Sequence, residues 1–419
     1  MSDSETSWRK PFNAFWASQS VSQLTVQSIA VCLPLLAVRK AHVASAEVGI
    51  ISGLQYAPVL IVAPLLGAYI DGQRRLPWMR AAQWIRALSY GMAAAAAALG
   101  LLSFGTLIAL VLIAGTFTAT FDVATQAFVP NLVPKDNLGL ANSRIQGSFS
   151  FAQVLGPTIG GLLLVLRAPW QTIAILGAGF GVAALLLLRI QADEQPVKRG
   201  ADATMIQNLL SGFRAVWSNP VLSWLSASSI WFNIFEQALI TTFLIYTVRS
   251  LRIPSGTVGL MIGIGAIGSI AGALSAGRRL APSSSARGLI LSSGLACVAP
   301  AALLVMRGDN LASLGIGAAA FFGYGVGVAS FNVQSISLRQ AIISPHMLGK
   351  TGAAYRFFAY GAIMIGGLVS GGFVASFGLS GALRVTVIAL VAGWLGMSQW
   401  FRRAFPGRAT DQPAPGEVP

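Results

Sequence analysis

Apolar runs of about 20 residues recur along the chain, separated by short polar stretches. Each run is long enough to cross a hydrocarbon layer of about 30 Å as an α-helix. The pattern predicts helical spans at 12–38, 46–70, 78–100, 104–129, 142–166, 170–189, 220–247, 256–277, 287–306, 311–335, 352–377 and 380–402. Membrane β-barrels are built from short alternating segments instead. The prediction is therefore an all-α membrane protein with twelve transmembrane helices.

Composition agrees with this pattern. The 419 residues are 55% hydrophobic and only 10% charged, with mean hydropathy +0.70. A soluble domain is about 25% charged. Length alone would suggest about three globular domains, but the hydropathy overrides that prior. The net charge of +15 would suit a nucleic-acid partner if it were clustered. It is instead distributed by side. An even number of spans puts both termini on one face. Of the 28 basic residues, only Arg39, Lys40, Arg167, Arg249, Arg252, Arg307 and Arg384 fall on the other face. The positive-inside rule then makes the termini cytoplasmic, in a multi-pass protein of the cell (inner) membrane. The basic charge orients helices and meets anionic headgroups, and no nucleic-acid partner is expected. Cys32 and Cys297 lie inside apolar spans and read as packing residues. The polar first ten residues and the long span after them do not form a cleavable signal.

The chain repeats itself at half its length. Val48, Gly49, Gly53 and Gly67 recur as Val258, Gly259, Gly263 and Gly277, an offset of 210. Gly156, Gly160 and Gly161 recur as Gly367, Gly371 and Gly372, an offset of 211. Two pseudo-symmetric six-helix halves follow, at 12–189 and 220–402. They are flanked by a cytoplasmic tail at 1–11 and a disordered tail at 403–419, and joined by a polar linker at 190–219. In that linker Ile206, Leu209, Leu210, Phe213, Val216 and Trp217 recur at helical spacing. They predict a helix lying along the cytoplasmic membrane face, or equally one packed on the bundle. Duplicated halves that rock about a midplane site are a transporter plan.

One acid stands out. Glu236 is the only charge in the run SSIWFNIFEQALITTFLIY, 228–246. Insertion scales put a carboxylate at mid-span at about 2.5–3.5 kcal/mol, so the residue needs a use or a partner. Ser226, Ser229, Asn233, Glu236 and Gln237 make a polar stripe on the seventh span. Gln19, Gln23 and Gln27 share one face of the first. At the repeat offset Gln23 corresponds to Asn233, Gln27 to Gln237 and Val26 to Glu236. Lipid cannot satisfy such groups, so the stripes are expected to line a wet cleft. A carboxylate there would bind a proton or a cationic substrate, a competition that suits an antiporter. Phe117, Phe121, Trp231, Phe235, Tyr324 and Phe331 are candidates for an aromatic lining. Gln126, Gln153, Asn332 and Gln334 are weaker polar candidates. Buried charges pair where they can. Arg86 and Asp122 fall at similar depth on antiparallel third and fourth spans, which predicts a pair, with Asp71 and Arg74 or Arg75 close by.

Four stretches carry a family resemblance: GAYIDGQRR (67–75), PNLVPKDNLGLAN (130–142), GPTIGG (156–161) and NLLSGFRAVWSNP (208–220). With the twelve-span plan they resemble the major facilitator superfamily, in its drug-efflux branch of macrolide and siderophore exporters. The resemblance implies a monomeric secondary transporter that uses a proton gradient and no cofactor or metal. Its partners would be membrane lipids and an amphipathic small-molecule substrate. It implies that Asp71, Arg74, Arg75, Arg86 and Asp122 latch a cytoplasmic gate. It also implies that Gly156, Pro157, Gly160 and Gly161 form the antiporter motif. Gly72 directly after Asp71, Ser143, Ala152 and Val26 depart from the family pattern.

An enzyme is not expected. His42 and His346, the two histidines, lie in loops on opposite faces, and no metal-ligand spacing or phosphate loop occurs. GIGAIG (263–268) lies inside an apolar span and reads as helix packing. Lipid or nutrient transport, or a non-transporting membrane sensor or scaffold, are the other readings of such a chain.

Overall fold

The computed structural model describes residues 8–40, 43–62, 73–134, 137–166, 168–190, 205–279, 286–344 and 347–404. Among these residues the regular structure is helical throughout. The elements are α1 (Arg9–Lys40), α2 (Ser45–Leu54), α3 (Arg75–Ala98), α4 (Phe104–Leu132), α5 (Leu138–Leu163) and α6 (Pro169–Leu188). There follow α7 (Met205–Ser218), α8 (Pro220–Arg249), α9 (Ser255–Arg279) and α10 (Ala286–Val298, continued as a 3₁₀ turn over Ala299–Val305). The last are α11 (Leu311–Ile342) and α12 (Leu348–Ala404).

Local chemistry sets the helix ends. Ser103 and Thr106 cap α4 reciprocally, each side chain bonding the other's backbone N–H. Asn219 accepts from the N–H groups of Val221 and Leu222, and Pro220 opens α8 where no N–H is needed. Asn310 caps α11 through the N–H of Ser313. Arg80 closes the far end of α6, donating to the carbonyls of Leu187 and Ile190. Within α12, Gly378 adopts φ 67° and ψ 177°. An L-residue rarely adopts that φ, so glycine permits the break there. It falls in the gap predicted between 377 and 380.

Eight stretches of the described residues are long and apolar enough to cross a membrane. One of them, Lys350–Arg403, holds 54 residues and could cross twice about Gly378. The helices α3, α5 and α8 fall below that measure because of their polar side chains, Arg75, Arg80, Gln83 and Arg86 on α3 and the serine-rich stripe with Glu236 on α8. Large apolar side chains stand exposed on the helix flanks. Leu88 and Met92 of α3 are 62% and 64% exposed, and Leu291 of α10 and Ile388 of α12 are 70% and 63%. Large apolar side chains exposed on helix after helix suit lipid rather than water.

The chain divides into two compact units, Met1–Gln207 with Ser255–Gly259, and Asn208–Pro254 with Leu260–Pro419. In the first, α3 packs against α4 and α6, and α1 against α5 and α6. A hydrophobic core lies at the amino end of α1, where Phe12, Phe15, Met79, Phe121 and Phe128 are buried. In the second, α8 packs against α12, and α10 against α11. Its core gathers Trp224, Leu225, Leu289, Ala354 and Phe401. Here α7 is docked by one face, with Val216 buried and Phe213 stacked on Phe358 at 4.8 Å, while Leu210 and Trp217 stay exposed.

A similar glycine contact occurs in both units. A Cβ on Gly156 of α5 would strike Gln27 of α1, and one on Gly366 of α12 would strike Gln237 of α8. In each unit a glycine thus lets two helices cross at a glutamine of the polar stripe.

Candidate functional site

Glu236 stands at the middle of the 30-residue α8. Its side chain is half-buried, and its Oε1 accepts a hydrogen bond from the phenol of Tyr324 on α11. A buried acid with one oxygen hydrogen-bonded is far less costly than an unpaired one. Aromatic rings wall the pair. Phe232 stacks on Tyr324 at 6.4 Å, and Phe321 meets Tyr324 edge-on at 6.2 Å.

The rest of the α8 stripe is satisfied largely within its own helix. Asn233 donates to the carbonyl of Ser229 at 2.6 Å and to its hydroxyl at 3.1 Å. Gln237 donates to Thr241 at 3.1 Å. Trp231 donates to the carbonyl of Ala389 at 3.0 Å and lies against Gly393 of α12, a packing position rather than a lining one. Phe235 lies next to it, the rings tilted with centroids 4.6 Å apart.

In the other unit, Gln19 of α1 is buried, and its Oε1 has no hydrogen-bond partner among the described residues. Gln23 and Gln27 are half-buried on the same face. Gly156, Pro157, Gly160 and Gly161 are all buried in α5. Cβ atoms on Gly156 and Gly160 would strike Gln27 and the carbonyl of Ser28 respectively. The motif glycines therefore set how closely α1 and α5 approach, and Pro157 removes a backbone donor one residue after Gly156.

Arg86 is 1% exposed. Its guanidinium lies between two rings, 4.5 Å from the centroid of Phe180 and 5.1 Å from that of Phe121. Nη1 donates to Thr118 at 3.3 Å, and the half-buried Asp122 acts on the cation electrostatically. Nε and Nη2 have no hydrogen-bond partner among the described residues. Of the predicted neighbours, Arg74 and Arg75 do not join this centre. Arg74 is exposed just before α3 and Arg75 is buried at its first residue. Eleven residues separate Arg75 from Arg86, about 16 Å at 1.5 Å per residue. Asp71 lies outside the described residues.

Two groups carry more weight in the structure than in the sequence. Tyr324 reads as one aromatic among several, yet it is the partner of Glu236. Gln83, one turn from Arg86, is fully buried with neither side-chain polar atom hydrogen-bonded among the described residues. The i, i+3 spacing of Gln83 and Arg86 on an otherwise apolar helix is the available signal.

The lipid-facing helix flanks, the glycine crossings in both units and the mid-span acid all suit a carrier. The profile of the Major Facilitator Superfamily matches residues 15–367. The chain belongs to that superfamily. Major facilitator proteins are transporters, not enzymes, and the chain is accordingly a multi-pass membrane protein. It is similar to an uncharacterized MFS-type transporter, y4rN, of Sinorhizobium fredii, with 24% identity over 347 residues, covering 80% of this chain and 82% of that one. It is 25% identical to the multidrug efflux pump Tap of Mycolicibacterium fortuitum over 178 residues, covering 39% of this chain and 42% of Tap. Among solved structures, a point mutant of the nucleoside transporter NupG has TM-score 0.79 at 14% identity, covering 93% of this chain and all of that one. A bacterial homologue of the human lysosomal transporter Spinster has TM-score 0.77 at 13% identity, covering 99% of this chain and all of its own. At such identities the solved structures share the major facilitator fold alone.

Proposed function

We propose that the chain is a secondary active transporter that exports an amphipathic small molecule, such as a drug, macrolide-like compound or siderophore, in exchange for protons. Twelve crossings in two six-helix halves would carry it through the inner membrane with both termini cytoplasmic, as a monomer without a cofactor. The observation that carries this reading is Glu236. It is a mid-span acid held by the phenol of Tyr324 and walled by Phe232 and Phe321. Such a site can take a proton, or a cation with an apolar body, and occupancy by one disfavours the other. Asn233 and Gln237 flank it, and Gln19, Gln23 and Gln27 would extend the polar path. Arg86 and Asp122 would act as a latch in the gating cycle, with Asp71, Arg74 and Arg75 working at the loop between α2 and α3. The similarity to the multidrug efflux pump Tap supports export.

The test is substrate flux in proteoliposomes under an imposed pH gradient. The wild-type protein is expected to move substrate uphill. Glu236→Gln is expected to bind it and equilibrate it without concentrating it. Uphill export by Glu236→Gln at the wild-type rate would end the coupling role. A second reading, lipid or nutrient movement on the same fold, draws support from the solved neighbours, which are named for nucleoside, Spinster-type and ferroportin-type transporters. Metabolite accumulation in cells with and without the gene separates the two.

A further inference from the structure

Trp8, Arg9, Asn13, Leu140 and Arg144 line a recess at one end of the first unit. The recess is built from two helical pairs. Arg9 and Asn13 stand four residues apart on α1, and Leu140 and Arg144 four residues apart on α5, so each pair shares a face. Arg144 Nη1 donates to Asn13 Oδ1 at 3.3 Å, which ties the two faces together. Behind them Trp16 donates to the carbonyl of Arg144 at 3.2 Å and to Ser148 at 2.8 Å, fixing the turn of α5 that carries the arginine. The floor is apolar, with Trp8 almost fully buried against Phe12 at 5.7 Å and Leu140 half-exposed. Neither Arg9 nor Arg144 is buried, and no carboxylate is among the lining residues.

Depth decides what such a recess meets. A 32-residue helix is about 48 Å long, and the hydrocarbon layer is about 30 Å thick. About 18 Å of α1 thus lies outside that layer, and the polar first turn, with Arg9, Lys10 and Asn13, is the end suited to headgroup level. Two guanidinium groups, an amide and an apolar floor at that level match a phosphate joined to a glycerol and acyl chains. The repeat-related place in the second unit is filled differently. At the same offsets Arg9, Asn13 and Arg144 become Asn219, Ser223 and Tyr355. There the Tyr355 hydroxyl is bonded to the Leu222 carbonyl at 2.9 Å and its ring is covered by Arg339 at 4.1 Å. Neither arginine of the recess has a basic counterpart at those offsets, and the one cation there, Lys350, stands in place of the apolar Leu140.

We propose that this recess is a binding site for the phosphodiester of an anionic phospholipid in the leaflet that faces the termini. The purified full-length chain in detergent is mixed with phosphatidylglycerol, phosphatidylcholine or inorganic phosphate. Bound lipid is counted by native mass spectrometry, and melting temperature is read alongside. One phosphatidylglycerol is expected to be retained in preference to phosphatidylcholine and to raise the melting temperature. Arg9→Gln with Arg144→Gln is expected to weaken that retention about tenfold or more, since hydrogen bonds to charged groups are the strong ones. Arg402→Gln with Arg403→Gln removes the same charge from the exposed end of α12 and is expected to leave it unchanged. Equal retention by the recess variant, equal loss in the α12 control, or equal stabilisation by inorganic phosphate alone overturns the proposal. If the double glutamine variant fails to fold, Arg144→Lys decides. It keeps the charge but loses the planar fork, so undiminished retention there counts against the site.

Discussion

Arg86 of the first unit and Glu236 of the second both stand well inside long helices, and the two are handled in opposite ways. Arg86 is 1% exposed, clasped between Phe121 and Phe180, hydrogen-bonded to Thr118 and acted on electrostatically by Asp122 of the neighbouring helix. Glu236 is half-buried, with a single phenol hydrogen bond and no counter-charge in contact among the described residues. At the repeat offset Arg86 corresponds to Ala296 and Glu236 to Val26, so neither charge is shared by the other half. A caged cation is suited to holding structure. An acid held by one neutral donor is restrained less firmly. The two charges occupy places that the repeat does not pair, and each half holds its own by different means.

This contrast makes graded predictions. Arg86→Ala is expected to have the largest effect, about 3 kcal/mol or more of destabilisation, because Asp122 is left without its cation. It is read as lost monodisperse protein and a lower melting temperature. Pairing Arg86→Met with Asp122→Asn is expected to restore much of that loss, and no recovery in the double variant would mean the two residues are not coupled. Phe180→Leu removes one wall of the cage and is expected to destabilise by about 1–2 kcal/mol. Glu236→Gln is expected to change stability by less than about 1 kcal/mol, since the amide oxygen can still accept from Tyr324. A drop as large as that for Arg86→Ala would make the two charges alike and break the comparison. Gln83→Leu is expected to be the mildest, neutral or slightly stabilising in thermal denaturation, because its buried amide makes no hydrogen bond among the described residues. A loss above about 1 kcal/mol would instead show an ordered water bound to it.

The helices are legible in the sequence because apolar runs of spanning length have few alternative uses. The first span reads as 12–38 and is helical over Arg9–Lys40, and the break before the last span falls at Gly378. Helix ends are less legible, since caps such as Asn219 and Asn310 act through local geometry rather than hydropathy. The mid-span acid is legible as an anomaly of cost. Its partner is not, because Tyr324 lies 88 residues away and only the packing of the second unit selects it from the other aromatics. The proximity of Arg86 and Asp122 can be reasoned from depth on antiparallel helices, but the ring cage needs Phe180 from α6, which depth alone does not indicate. Equal nearness of Arg74 and Arg75 does not follow, because a helix carries charges apart along its axis as surely as it aligns them on a face.

The crossings at Gly156 and Gly160 leave no slack between α1 and α5. A side chain larger than hydrogen at either place would have to push the partner backbone aside. The two helices must therefore travel as one rod through any transport cycle, and bending has to be absorbed elsewhere along the chain. In the second unit Gly366 ties α12 to α8 at Gln237, so the acid at Glu236 rides on a similarly stiff beam.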